Sequence, residues 1–447
     1  MTEDLLAFID QTVDDAIQDL GRLIALPSVA AKGEHMEETA QLVAEMLRGV
    51  GSETKIHETS GCPVVTGEID VGAERTLLCY DHYDVQPAEP FDLWESPPFE
   101  MSVRGDRIYG RGVADNKGDF VTRLWAVKAF QETGTEIPVN LKFVVEGEEE
   151  ISSPHLYEFV EDNREWLKAD GGIWEFGGSG IDGKQEAWLG LKGILYVQLE
   201  VEALSHDAHS SLACVLPSAA SRLVWALSSL KGADEHIMID DFYDGIKPLT
   251  HAELEALSII EMREEDVKKH YGITSFILGL EGDELKERYY NGPTCNICGI
   301  DTGYQGEGSK TVLPAKATAK IDFRLVEGMD PDTVLKGLRI HLDQHGFSDV
   351  KIAWHEGYPA AKTPVGHPFV ELVSKANEEV FGHRLTLQPT SPGSGPLYLF
   401  DALVPMVSIG CGDFESRAHS PNETILIDNF QKTIKRMVVL IEMMKDY

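Results

Sequence analysis

Residues 76–119 read TLLCYDHYDVQPAEPFDLWESPPFEMSVRGDRIYGRGVADNKGD, and the fold is decided where the first apolar run stops. Thr76 to Tyr80 is too short for a helix and reads as a buried strand. Asp81, His82, Tyr83 and Asp84 follow at once. Open α/β sheets collect ligand and catalytic groups just beyond the carboxyl ends of their strands. Side chains two apart on an extended backbone share a face, so Asp84 is placed to hold the far ring nitrogen of His82. A carboxylate does this for a metal-bound imidazole, raising its basicity. A further acid, Asp115, stands in GRGVADNKGD, among glycines that let the backbone approach a ligand closely. The stretch reads as half of a two-metal hydrolase site. A second His-x-Asp, His341-Leu342-Asp343, lies in VLKGLRIHLDQHG, whose helical apolar spacing assigns it to surface or packing.

Working outward, residues 4–27 carry helical periodicity and stop before Pro27-Ser28; a second helix runs from about His35 to Val50, closed by Gly51. Short strands near Lys55–His57 and Val64–Ile69 lead into the Thr76 strand, and a helix follows from Phe120 to about Thr133. VNLKFVVEGEEEISSP then gives a β-branched strand, Val139 to Val145, running into Glu146, Glu148, Glu149 and Glu150. Acid-rich segments are commonly solvated loops, but this one repeats the strand-end placement of His82. Adjacent carboxylates there repel one another unless a cation neutralises them. A third short strand, Gly172-Ile173-Trp174, ends in Glu175. Such strand–helix alternation predicts an α/β domain: a mixed, mostly parallel sheet with helices on both faces.

From Gly190 the pattern changes. LKGILYVQLEVEA alternates as a strand, SHDAHSS follows, and Pro217 to Leu230 reads as a helix. Residues 294–328 give strands split by a Gly-rich turn, and Asp330 to His345 reads as another helix. His236 to Tyr290, polar and charged, is expected to be helical. Two strand–helix–strand halves predict a smaller α+β, ferredoxin-like module inserted into the first domain. The division expected is 1–190 and 361–447 for the two parts of the main domain and 191–360 for the insert. The main pattern resumes with a helix from His367 to Phe381, the loop PTSPGSGP, a strand from Val404 to Ile409, the candidate ligand His419 in ESRAHSPNE, and a closing helix from Ile427 to Met444.

Thirty-nine basic against 75 acidic residues leave a net charge of −36 over 447 residues. A surface of that sign repels nucleic acid and anionic membranes, so neither is an expected partner. Long apolar spans are absent, and the first twenty residues read as an acidic amphipathic helix rather than a signal peptide. The six cysteines are scattered; Cys295 and Cys298 form a lone CxxC without a second pair, which argues against a zinc ribbon. Reduced, buried thiols in a cytoplasmic protein are expected.

Taken together, CYDHYDVQP, YGRGVADNKG, EGEEEISS, DAHSS, GSKTVLP with IDFRL, and AHSPNE resemble the di-zinc exopeptidase and deacylase family. That family includes carnosine-type dipeptidases, glutamate carboxypeptidases, aminoacylases and succinyl-diaminopimelate desuccinylase. The motifs span nearly the whole chain in the family's order, and HYDVQP, LWESPPFE and YGRG are most similar to the carnosine-type branch. The resemblance implies two divalent ions per subunit, zinc before manganese or cobalt. His82 and Glu175 would hold one ion, Glu150 and His419 the other, and Asp115 would bridge them. It implies that Asp84 orients His82 and that Glu149 is the general base toward a water shared by the ions. A cis peptide at Asp115-Asn116 is also implied. Charge counting agrees: +4 from two ions meets −3 from Asp115, Glu150 and Glu175, and a hydroxide completes neutrality.

By the same resemblance His209 would stabilise the oxyanion in a partner subunit's site, making the insert a lid and dimerisation domain of a homodimer. Arg324 would pair with a substrate carboxylate, a strand-end ion pair being the alternative. Ser394, Asn296 and His367 are further candidate substrate contacts. Ser211 departs from the glycine common in the family, and Thr390 and Glu175 depart from the carnosine-type pattern, which would have Arg and Asp there. The expected activity is hydrolysis of dipeptides, or removal of the C-terminal residue of short peptides. N-acyl-amino-acid deacylation is the alternative enzyme, and a non-catalytic metal- or peptide-binding relative the alternative of another class.

Overall fold

The strand that opens at Thr76 continues to His82 and lies in the middle of a sheet, buried on both its faces. In the computed structural model, which describes residues 2–447, the strands that matter to the site are β1 (Glu53–His57), β2 (Val64–Ile69), β3 (Thr76–His82), β4 (Asn140–Glu146), β5 (Gly171–Trp174) and β6 (Met406–Ser408). They pair in the order β1-β2-β4-β3-β5-β6, and short strands beyond β6 complete a ten-stranded sheet. Strand β3 is parallel to β4 and β5, and β6 is parallel to β5. Antiparallel β1 and β2 form the edge beside β4. The sheet is mixed with a parallel centre, as expected. Parallel neighbours put the ends of β3, β4, β5 and β6 on one side of the sheet, which gathers their following residues.

Packing fixes that frame. Leu77 and Cys79 join a large core with helices α1 (Thr2–Ile24), α2 (Met36–Gly49), α3 (Lys117–Glu132), α4 (Pro368–Phe381) and α5 (Ile427–Met444). On the opposite face Tyr80 lies flat on Trp174, ring centroids 3.8 Å apart, with Phe400 edge-on to both. Helix α3 begins three residues before the expected Phe120, because Lys117, Gly118 and Asp119 are already helical. Gly118 is obligatory there: a Cβ would meet the Val113 carbonyl oxygen at 2.1 Å. Buried Arg123 on α3 pairs with Asp81 and donates to the Trp174 carbonyl (2.8 Å), joining the ends of β3 and β5. Arg123→Met leaves Asp81 buried and unpaired. It is expected to cost about 3–5 kcal/mol, read as a lowered urea midpoint.

The chain forms two compact units: one runs to Gly190 and resumes over Lys362–Pro389 and Gly395–Tyr447, the other comprises Leu191–Ala361 with Thr390–Ser394. The second unit is an antiparallel sheet ordered Asn296–Thr302, Lys316–Leu325, Gly193–Glu202, Lys351–Tyr358. Helices Ala219–Leu230 and Pro331–Gln344 share its core. Gly193–Glu202 alternates buried and half-buried positions, with Leu195, Val197, Leu199 and Val201 inward. This is the ferredoxin-like strand order with one covered face. His341 sits in the second of those helices, buried and bonded to Ser229 Oγ at 3.1 Å, so its His-x-Asp is packing.

Some expectations need correction. The strand expected over Val404–Ile409 contracts to Met406–Ser408. His236–Tyr290 holds three short helices, His251–Ile259, Glu264–Tyr271 and Gly282–Asn291, and is not helical before His251. Cys79, Cys295 and Cys411 are buried, but Cys214 and Cys298 are exposed, so the thiols are not uniformly buried. Among the described residues no helix is long and apolar enough to cross a membrane.

Candidate metal centre

At the end of β3 the His82 ring is wholly buried. Its Nδ1 faces the Asp84 carbonyl oxygen at 3.1 Å and Asp84 Oδ1 at 3.3 Å. The Asp84 carboxylate also accepts the backbone N–H groups of Glu149 (3.2 Å) and Glu150 (3.0 Å). One buried acid thus orients the imidazole and shapes the turn that follows β4. Of the four acids at and beyond the end of that strand, two are structural: Glu146 accepts from the Tyr80 hydroxyl and Ser153 Oγ, and Glu148 binds His155 Nδ1 at 2.8 Å. The other two enter the cluster.

Asp115 lies between the histidines. Its Oδ1 is 3.1 Å from His82 Nε2 and its Oδ2 is 3.0 Å from His419 Nε2. Glu175, after β5, brings Oε2 to 3.2 Å from His82 Nε2, and Glu150 Oε2 is 3.1 Å from His419 Nε2. The ligand-type atoms form two groups, His82 with Glu149 and Glu175, and Asp115 with Glu150 and His419, each within 4.8 Å. The Asp115-Asn116 peptide is cis.

Electrostatics in the cluster are those of crowded acids. Burial pushes Glu149 up to about 8, and Glu150, Asp115 and Asp84 add to the shift against His82. Burial likewise holds Glu175 well above the carboxylate range, reinforced by Glu149. Burial also disfavours charge on Asp115, yet its bonds to His419 and His82 hold it well below that range. Hydrogen bonds to Asp115 and Glu150 raise His419 to about 10. Glu175 Oε2 is buried and makes no hydrogen bond among the described residues. An unsatisfied buried carboxylate oxygen beside imidazoles and further acids suits divalent cations, and oxygen and imidazole donors accept Zn²⁺, Mn²⁺ or Co²⁺.

The remaining candidates are each held by local partners. His367, in the first unit, caps α4, its Nδ1 accepting the Phe369 N–H at 3.2 Å. In the second unit exposed His209 starts a short 3-10 turn and bonds Ser211 Oγ at 2.8 Å. Arg324 Nη1 donates to Ser394 Oγ at 2.7 Å, with Nε 3.6 Å from Asp322. Asn296 Nδ2 donates to the same Asp322 at 2.9 Å. Asp322, Gln86, which donates to Glu150 Oε2 at 2.9 Å, and Glu423 were not anticipated. Asp322 stands inside IDFRL, where a charged residue between apolar neighbours was the available signal, and Glu423 stands inside AHSPNE, where polar neighbours gave none.

Known proteins of one family resemble this chain. The family model for Peptidase family M20/M25/M40 matches residues 78–443. The Cys-Gly metallodipeptidase dug1 of Schizosaccharomyces pombe is 30% identical over 468 residues, covering 96% of each chain. The Beta-Ala-His dipeptidase of Mus musculus is 28% identical over 368 residues, covering 77% of this chain and 74% of the relative. Among solved structures, the M20 family metallo-carboxypeptidase Sso-CP2 from Sulfolobus solfataricus superposes with a TM-score of 0.91 at 36% identity, covering 97% of this chain and 99% of that one. With its motifs, its fold and its acid–histidine cluster in agreement, the chain belongs to peptidase family M20/M25/M40.

Proposed function

We propose that this protein is a two-metal exopeptidase that hydrolyses dipeptides or releases the C-terminal residue of short peptides. The observation that carries the reading is Asp115, whose two oxygens each face a different imidazole at 3.1 and 3.0 Å. His82 and Glu175 are assigned to one ion, Glu150 and His419 to the other, and Asp115 to both. Bound there, the ions supply an acidified water and polarise the scissile carbonyl. Glu149 takes a proton from the attacking water and passes it to the departing amine nitrogen as the C–N bond breaks. Asp84 holds the His82 ring and the Glu149 backbone in place.

Arg324 is assigned the substrate's free carboxylate, with Ser394 and Asn296 as neighbours, and His209 is assigned the oxyanion in a second copy's site. Relatives named as Cys-Gly metallodipeptidase, Beta-Ala-His dipeptidase and metallo-carboxypeptidase support the substrate class. The test is a panel of dipeptides, short peptides and acetyl- or succinyl-amino acids offered to metal-loaded protein. Free amino acids from the peptides support the reading; acetate or succinate alone would make the protein a deacylase instead. Arg324→Ala is expected to raise KM for a dipeptide at least tenfold and to lower kcat less, as measured by initial rates. That is the scale of one lost charge-assisted, two-point contact.

A further inference from the structure

Asp115 and His419 are 304 residues apart in sequence, yet they must stand at one fixed spacing for a pair of ions. Glu423, four residues after His419, is wholly buried and connects them. Its Oε1 accepts the backbone N–H of Ala114 at 2.9 Å and of Asp115 at 3.1 Å. Its Oε2 accepts the N–H of Gly112 at 2.9 Å and Arg111 Nη1 at 2.6 Å. The Glu423 carbonyl oxygen also accepts from the Gly110 N–H at 3.1 Å. Loop 110–115 is therefore wrapped around one carboxylate as a nest of N–H groups, the arrangement that binds anions. Gly112 makes the wrap possible: its φ is +88°, and a Cβ would meet Val85 Cγ1 at 2.7 Å. Arg111 is in turn held by the Pro87 carbonyl (3.2 Å) and lies over Trp94.

We propose that Glu423 is a positioning residue: its carboxylate latches the Asp115 loop to the His419 loop and so sets the spacing at which two divalent ions are held together. The proposal rests on the two-metal reading above. A charged acceptor is required, because Glu423→Gln turns an NH₂ group toward Gly112 N–H and Arg111, donor against donor. Glu423→Asp keeps the charge but is one methylene too short to reach all four donors from the same backbone position. Losing such an outer partner typically weakens metal binding about 10–100-fold.

The experiment strips full-length protein with chelator, confirms folding by circular dichroism and thermal unfolding, and titrates it calorimetrically with Zn²⁺ and with Mn²⁺. Parent protein is expected to take two ions. Glu423→Gln is expected to bind them about 10–100-fold more weakly, with hydrolysis returning toward the parental kcat in excess metal and KM little changed. Parental metal affinity in folded Glu423→Gln overturns the proposal. Should that variant not fold, Glu423→Asp is read by the same criterion, and parental affinity there overturns it as well. A parent that binds no pair of ions would refute the two-metal reading itself. A parent that binds two ions but cleaves no peptide would refute only the activity and leave the latch standing.

Discussion

Replacing Glu149 by Ala is expected to lower kcat about 10²–10⁴-fold while two divalent ions remain bound. The size follows from what a positioned base contributes to proton transfer, and the placement from the turn after β4. Asp84 fixes the Glu149 backbone N–H at 3.2 Å, and the carboxyl stands in the group with His82 and Glu175. Burial first, then Glu150 and Asp115, raise it to about 8, against His82. A buried carboxyl standing among the ligand-type groups is positioned to take the proton and return it to an amine. Steady-state kinetics on a dipeptide, with metal content by emission spectroscopy, check the prediction. A variant as active as the parent ends the assignment. One that loses an ion together with its activity would make Glu149 a ligand instead of a base.

The second large effect is expected at Asp115→Asn. An amide has the shape of the acid but only one oxygen and no charge, so it cannot face both imidazoles as an acceptor. Bound metal should drop below two ions per chain. Activity should fall by more than the roughly 10²-fold that a 1 Å misplacement of reacting groups costs. Parallel metal analysis and turnover in excess metal distinguish this site from the latch. Excess metal is expected to restore Glu423→Gln and not Asp115→Asn.

Much of this was legible along the chain because strand-end chemistry is local. His82 with Asp84, the acids after β4, and Glu175 after β5 each follow an apolar run directly, and parallel pairing gathers such ends without further information. His419 was legible only through its motif, since it stands eleven residues after β6, in a loop where its own φ is +61°. Long-range hydrogen bonding was not legible. Glu423 serves N–H groups more than 300 residues away, and Asp322 collects Asn296 and Arg324 across a sheet register. The start of α3 was missed because a Lys-Gly-Asp sequence argues against a helix locally. Burial of Lys117, whose Nζ donates to the Leu23 and Leu26 carbonyls at the end of α1, overrides that preference. The N-cap role of His367, whose Nδ1 accepts the Phe369 N–H, was likewise not legible.

The separation of Asp115 from His419 bears on synthesis. A ribosome emits the first of these long before the second, and every residue of the inserted module emerges between them. Nascent polypeptide short of residue 419 holds an acid-lined strand rim with no second imidazole. The proposed two-ion site therefore has its full set of side chains only after residue 419 has emerged.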